Sequence, residues 1–171
     1  AVIPPIPGVE EAHVVNGVDL LTGKAIAGDQ VIILGGGEVG CELALYLEKA
    51  GRKVSVIERQ DNILNAAMPL NGRKGLTDML DASEIAFYTG TRLEKIELGK
   101  VLLSNQEEQF ELPCDTVALA VGFRSDPRVF DELKESYKVF ALGDCNRPRK
   151  IWFAIHESYH IIRQLDDLME Y

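Results

Sequence analysis

VIILGGGEVGCELALYLEKAGRKVSVIE, residues Val31 to Glu58, decides the fold of this chain. It reads as a strand, a glycine-rich turn, a helix, a second strand and an acid at that strand's end. Val31 to Leu34 is wholly apolar, as a strand covered on both faces of a parallel sheet requires. Gly35, Gly37 and Gly40 stand at G-x-G-x-x-G spacing. The first permits a tight turn, the second clears the backbone for a pyrophosphate, and the third lets the helix press against the sheet. A helix from about Glu38 to Ala50 would aim its first-turn N–H groups, those of Glu38 and Val39 among them, and its positive dipole end at that phosphate. Lys53 to Ile57 is the second strand, and Glu58 follows Gly35 by 23 positions. About 20 are expected for an acid that hydrogen-bonds a ribose 2′-hydroxyl. The ligand implied is a nicotinamide dinucleotide, NAD(H). A carboxylate at Glu58 repels a 2′-phosphate and so favours NADH over NADPH. Arg59 works the other way, since it can stack on adenine or meet a 2′-phosphate.

Bulk properties narrow the class. The chain has 171 residues, 46% of them apolar and 26% charged, with a formal net charge of −9. That charge argues against nucleic acid and against an anionic membrane surface, because no excess of cations is available to meet phosphates. No apolar run approaches the roughly 20 residues of a membrane span, and no leader pattern is visible. Cys41, Cys114 and Cys145 make an odd, scattered set that suits a reducing cytoplasm. Cys41 falls in the first turn of the cofactor helix, where it is either a buried small hydrophobe or a stabilised thiolate.

Outward from the motif, residues 1–29 read as a lead-in segment, extended at Ile3 to Gly8, with one helical turn at Val18 to Thr22. After a loop at Arg59 to Ala66, a helix is expected from Pro69 to about Ala82, then a strand at Ile85 to Tyr88. Alternating stretches at Arg92 to Leu98, Val101 to Ser104 and Phe110 to Leu112 predict an antiparallel β-meander. Asp115 to Val121 returns to a buried strand. A short helix near Pro127 to Lys134, a strand at Tyr137 to Leu142 and a long helix from Ile151 to Leu168 complete the chain. Apolar residues at Ile151, Ala154, Ile155, Ile161, Ile162, Leu165 and Leu168 lie mostly on one face of that helix. The fold class is α/β: a Rossmann-like, three-layer parallel sheet with an inserted antiparallel meander.

IPGVEEAHVV, GGGEVG, VIER, TVALAVGFRSDP and VFALGDCNRPRKIWFAIHESYHIIRQL together resemble the C-terminal half of NADH-dependent flavin oxidoreductases of the 2-enoate reductase and 2,4-dienoyl-CoA reductase type. More broadly they resemble the FAD/NAD(P)-binding fold of pyridine nucleotide-disulfide oxidoreductases. The resemblance implies two interleaved domains. On that reading 1–29 leads out of a missing FAD domain, 30–122 is the NAD(H)-binding domain, and 123–171 belongs to the FAD-binding domain. FAD would then serve the parent enzyme, with FMN and an iron–sulfur cluster outside this chain. The chain would be a module that is inactive alone and passes hydride from NADH to flavin for reduction of an enoate-type substrate. A structural module that only holds an adenine nucleotide, or part of a disulfide reductase or NADH oxidase, stays open.

By the same resemblance Gly122 borders the nicotinamide side of the cleft or is a plain turn glycine. Gly143 and Asp144 correspond to a flavin-binding strand end, where Asp144 meets the ribityl chain or merely caps a helix. No side chain reads as a catalytic acid, base or nucleophile, and no metal site is expected: His156 and His160 share a helix face without a recognised ligand pattern. Arg147, Arg149 and Lys150 read as a solvated charge run or a flavin phosphate contact. The partners expected are the FAD and FMN domains of a longer chain and, through the last helix, a second copy.

Overall fold

Alternate side chains of residues 30–34 build two cores, one on each side of a sheet. The computed structural model describes residues 1–65 and 70–169. In chain order its elements are β1 (Val14–Asn16), α1 (Gly17–Leu21), β2 (Gln30–Leu34), α2 (Glu38–Lys49), β3 (Lys53–Ile57), α3 (Leu70–Asp81), β4 (Ala86–Tyr88), β5 (Arg92–Glu97), β6 (Lys100–Ser104), β7 (Gln109–Pro113), β8 (Thr116–Leu119), α4 (Arg128–Leu133) and α5 (Ile151–Met169). A 3-10 turn at Gly143–Cys145 precedes α5. The chain divides into two compact units, Ala1–Gly122 and Phe123–Tyr171. The expected helix start at Pro69 and the side chain of Leu168 lie outside the described residues.

In the first unit five parallel strands run in the order β1-β8-β2-β3-β4. Val31 and Ile33 turn to one face with Val54, Val56 and Ala118. There they meet Leu20 of α1, Leu43 and Leu47 of α2, and Leu76 and Leu80 of α3. Ile32 and Leu34 turn to the other face with Ile57, Val117 and Leu119, against Leu93, Ile96, Val101 and Leu103 of the meander. Helices, parallel sheet and meander make the three layers of a Rossmann-like fold. Both faces of β2 are covered, so a polar side chain anywhere along Val31–Leu34 would be stranded without water. The meander is inserted between β4 and β8 in sequence but forms its own antiparallel sheet, β5-β6-β7.

Two sequence expectations need correction. Residues 14–16, read as part of a lead-in, form the edge strand β1 and pair with Val117, Ala118 and Leu119. Three residues are too few to show a period, and the pairing is long-range. The strand expected at Tyr137 to Leu142 does not form. Tyr137 is 68% exposed, and no strand of the described residues pairs with this stretch. An apolar run becomes a strand only where another strand takes its backbone hydrogen bonds.

In the second unit the apolar face of α5 is only partly covered. Ala154, Ile161 and Leu165 are half-buried, while Ile151, Ile155 and Ile162 are exposed.

The start of β2 is pinned to β8 by polar groups. The Gly28 N–H donates to Thr116 Oγ1 at 2.9 Å, and Asp115 Oδ2 accepts the N–H groups of Asp29 at 3.0 Å and Gln30 at 2.9 Å. Thr116 is buried. Replacing it by valine keeps the shape and strands the Gly28 donor. Thr116→Val is therefore expected to lower stability by roughly 1–3 kcal/mol, read as a shift in the urea midpoint with an unchanged slope.

Candidate functional site

Between Leu34 and Glu38 the chain must reverse from strand to helix within three glycines. Gly35 does so at φ +113°, and a Cβ there would lie 2.6 Å from the Ala120 carbonyl oxygen. At Gly40 a Cβ would lie 1.9 Å from the Gly35 carbonyl oxygen, so α2 sits closer to the turn than any side chain allows. Gly37 is the opposite case: a Cβ there meets nothing within 4 Å. It is the N-cap of α2 and makes no side-chain capping bond. The N–H groups of Glu38 and Val39 follow in the first turn, where an α-helix has no carbonyl of its own to offer them.

Glu58, directly after β3, faces this turn. Its Oε2 accepts the Gly36 N–H at 2.7 Å and its Oε1 accepts the Gln60 N–H at 2.8 Å. Each carboxylate oxygen has two acceptor sites, so one on each remains for a hydroxyl donor. The turn and Glu58 line one wall of a cleft of about 980 Å³ that runs past Ala120–Gly122 to Pro4–Ile6. Arg59 is on the same wall. Gly122 holds φ +101°, and its carbonyl accepts the Val2 N–H at 2.9 Å. The cleft thus gathers Gly35, Gly37, Glu58, Arg59 and Gly122, with Glu38, Val39 and Gly40 heading the adjoining helix. Gly143 and Asp144 belong to the second unit.

Sequence reasoning passed over the middle glycine. A Cβ on Gly36 would come within 2.8 Å of Ile63 Cγ2 and 3.0 Å of Glu58 Cβ. The run of three glycines, one more than the spacing rule asks for, was the available signal. Ile63 and Leu64, an apolar pair in an otherwise polar loop, were another. Cys41 is fully buried. Burial first, then the charges of Glu58 and Glu42, pushes its thiol up to about 11. It is a protonated core side chain rather than a nucleophile.

In the second unit Gly143 (φ +58°) donates its N–H to Glu157 Oε2 at 2.6 Å. Glu157 also pairs with Arg149, whose guanidinium carbon lies 4.3 Å from the Phe153 ring centroid. Arg149, expected as part of a solvated run, is held on both sides. Asp144 Oδ1 accepts the Arg149 N–H at 3.4 Å. His156 packs edge-on to Trp152 with centroids 5.0 Å apart, and His160 stands beside Tyr159. Among the described residues, no group of three or more His, Cys, Asp or Glu could hold a metal ion, and no helix is long and apolar enough to cross a membrane.

The sequence pattern of the family described as "Pyridine nucleotide-disulphide oxidoreductase" matches residues 1–138. The chain is 35% identical over 162 residues to a bilirubin reductase of Mediterraneibacter gnavus, covering 92% of this chain and 25% of that protein. It is 30% identical over 164 residues to a cinnamate reductase of Clostridium sporogenes, covering 94% and 24%. A solved 2-naphthoyl-CoA reductase superimposes with a TM-score of 0.83 at 26% identity, covering 91% of this chain and 24% of that one. The chain spans about a quarter of the length of these proteins.

The Glu157 cluster makes a pH prediction. The Gly143 N–H, and after it Arg149, hold the Glu157 carboxyl below its usual 4.5. A depressed folded-state value adds stability that is complete above the unfolded value and lost as pH falls through the folded one. Trp152, the chain's one tryptophan, lies on α5 one turn before Glu157. Its emission is expected to shift on acidification below 4.5, and Glu157→Gln should abolish that step. An unchanged acid step in the variant would assign it elsewhere.

Proposed function

The chain belongs to the pyridine nucleotide-disulphide oxidoreductase family, and on that footing we propose that it is the NADH-binding module of a flavin-dependent oxidoreductase. The pyrophosphate would lie along Gly35, Gly37 and the first turn of α2, contacted by the N–H groups of Glu38 and Val39. Gly40 lets the helix come close enough to do this. Glu58 would take the adenosine ribose hydroxyls, with Arg59 beside the adenine. Gly122 would border the nicotinamide. When bound, NADH supplies a hydride; the protein's part is to hold and orient it toward the FAD of the complete enzyme. The observation that carries this reading is Gly37: a Cβ position open to the cleft at the head of a helix whose N-cap residue has no side chain, opposite a carboxylate with acceptor sites to spare. An open helix N-terminus beside a hydroxyl acceptor supports the reading as a dinucleotide cradle.

Reduction of an enoate- or enoyl-type substrate is part of the same proposal. Its support is the likeness to proteins called cinnamate reductase and 2-naphthoyl-CoA reductase. Gly143 and Asp144 would face FAD, as the resemblance to enoate reductases implies. The exposed face of α5, with Ile151, Trp152, Ile155, Tyr159 and Ile162, would be covered by the remaining domains of a longer enzyme or by a second copy.

Calorimetric titration with NADH, NADPH, ADP and FAD tests the reading. NADH is expected to bind more tightly than ADP and than NADPH. Glu58→Gln should weaken NADH by about tenfold or more and shrink the difference from NADPH. Equal affinity for ADP and NADH would reduce the module to an adenine-nucleotide holder. Tighter binding of NADPH would overturn the role of Glu58.

A further inference from the structure

Gly36 and Gly37 are joined by the least restrained kind of peptide in the chain, since neither residue has a Cβ to oppose rotation. The direction of that peptide matters. A trans peptide points its C=O and N–H to opposite sides. One orientation offers an approaching pyrophosphate the Gly37 N–H; the flipped one offers it the Gly36 carbonyl oxygen, which repels it. Something outside the turn has to hold the choice.

Three bonds converge on Gly36. Its N–H is donated to Glu58 at 2.7 Å. Its carbonyl oxygen accepts the Leu64 N–H at 2.8 Å and lies 3.5 Å from the Cys41 thiol. Leu64 is the one non-glycine residue of the described chain with positive φ, at +55°. A leucine there is disfavoured. Its side chain is also only 2% exposed, packed into the helix-side core. Residue 64 must send its N–H to the turn and its side chain into the core, and it does both in the left-handed conformation. The loop behind it is tied by Asn65 Nδ2, which donates to Gln60 Oε1 at 2.6 Å and to the Asn62 carbonyl at 2.7 Å. Ile63 closes over Gly36 from the same loop.

We propose that Leu64 is a positioning residue: its buried side chain and left-handed backbone latch the Gly36–Gly37 peptide with the N–H, not the carbonyl, turned to the nucleotide's pyrophosphate. The proposal rests on the reading of the cleft as an NADH site. It adds a residue outside the glycine motif and outside contact with the ligand, acting through Gly36.

The test uses the whole chain and four variants. Leu64→Ala removes the anchor and Leu64→Val keeps an apolar side chain while penalising positive φ. Leu64→Met restores the anchor. Leu80→Ala empties the same core from α3, where Leu80 is 4% exposed, and serves as the control for lost packing. Three readouts are taken: NADH affinity by calorimetry, thermal stability, and hydrogen exchange of the residue 64 amide in the ligand-free chain. Leu64→Ala and Leu64→Val are expected to weaken NADH by about tenfold and to speed exchange at residue 64. Leu64→Met should restore both. Leu80→Ala should lose thermal stability comparably while leaving affinity and the residue 64 amide unchanged. Wild-type affinity in Leu64→Ala and Leu64→Val, or equal losses in Leu80→Ala, would overturn the latch. Should the wild-type chain bind no NADH, the site reading fails on its own. The latch is then judged by exchange, and a residue 64 amide as protected in Leu64→Ala as in Leu80→Ala sinks it.

Discussion

The contact of α2 with the end of β2 governs the first unit. Without a Cβ at Gly40 the helix rests against the Gly35 carbonyl, a position that any side chain would block by more than an ångström of overlap. That approach brings the N-terminus of α2 level with the C-terminal edge of the sheet. It buries Cys41 and Leu43 directly against the strands and leaves Gly37 facing open space rather than packed. Moving the helix outward by one methyl would loosen the core beneath it and withdraw its N–H groups from the cleft together. Core packing and the shape of the cleft are therefore set by one close approach, and the residue that permits it is chosen for what it lacks.

The second constraint is that the parallel sheet is covered on both faces. A helix layer on one side and a meander on the other leave only the strand ends for polar chemistry. The cleft accordingly forms where β2, β3 and β8 finish, at Gly35, Glu58 and Ala120. Meander residues Arg92 to Glu94 and the extended segment Pro4 to Ile6 close its other side. The segment is fixed there by Pro7, whose carbonyl accepts the Ile96 N–H at 2.8 Å, and by Gly8, which has room for no Cβ against Ile96.

Most of this was legible where a local rule applies. Val31–Leu34, the glycine spacing and Glu58 each satisfy a short-range requirement, and the structure sets them side by side. Strand stretches of the meander alternate visibly because one face is buried. What was not legible depends on partners distant in the chain. Residues 14–16 are a strand because Val117 to Leu119 lie alongside, and Tyr137 to Leu142 is not one because no strand of the described residues does. Gly36 and Leu64 escaped for the same reason. Their constraint is a contact across 28 positions between two loops, and no periodicity records it. Arg149 looked like one of three solvated cations, yet its partner Glu157 is two turns along α5 and shields it.

A chain of net charge −9 is a poor general attractor of a dinucleotide that is itself anionic. The cleft makes no clear electrostatic excess either, since Arg59 and Arg92 on its walls are offset by Glu58 and Glu94. In the proposed site attraction would come from directed backbone N–H groups and the helix dipole, which act only over the first turn. Such an arrangement gives little long-range steering and depends heavily on geometry. It also explains the economy of the site. The Gly35 and Gly36 N–H groups are already taken by the Ile57 carbonyl and Glu58, so in the proposed site the Gly36–Gly37 peptide has to present its donor rather than its acceptor. Converging on this one three-residue turn are a half-buried carboxylate, a core leucine in a costly backbone conformation and a packed helix.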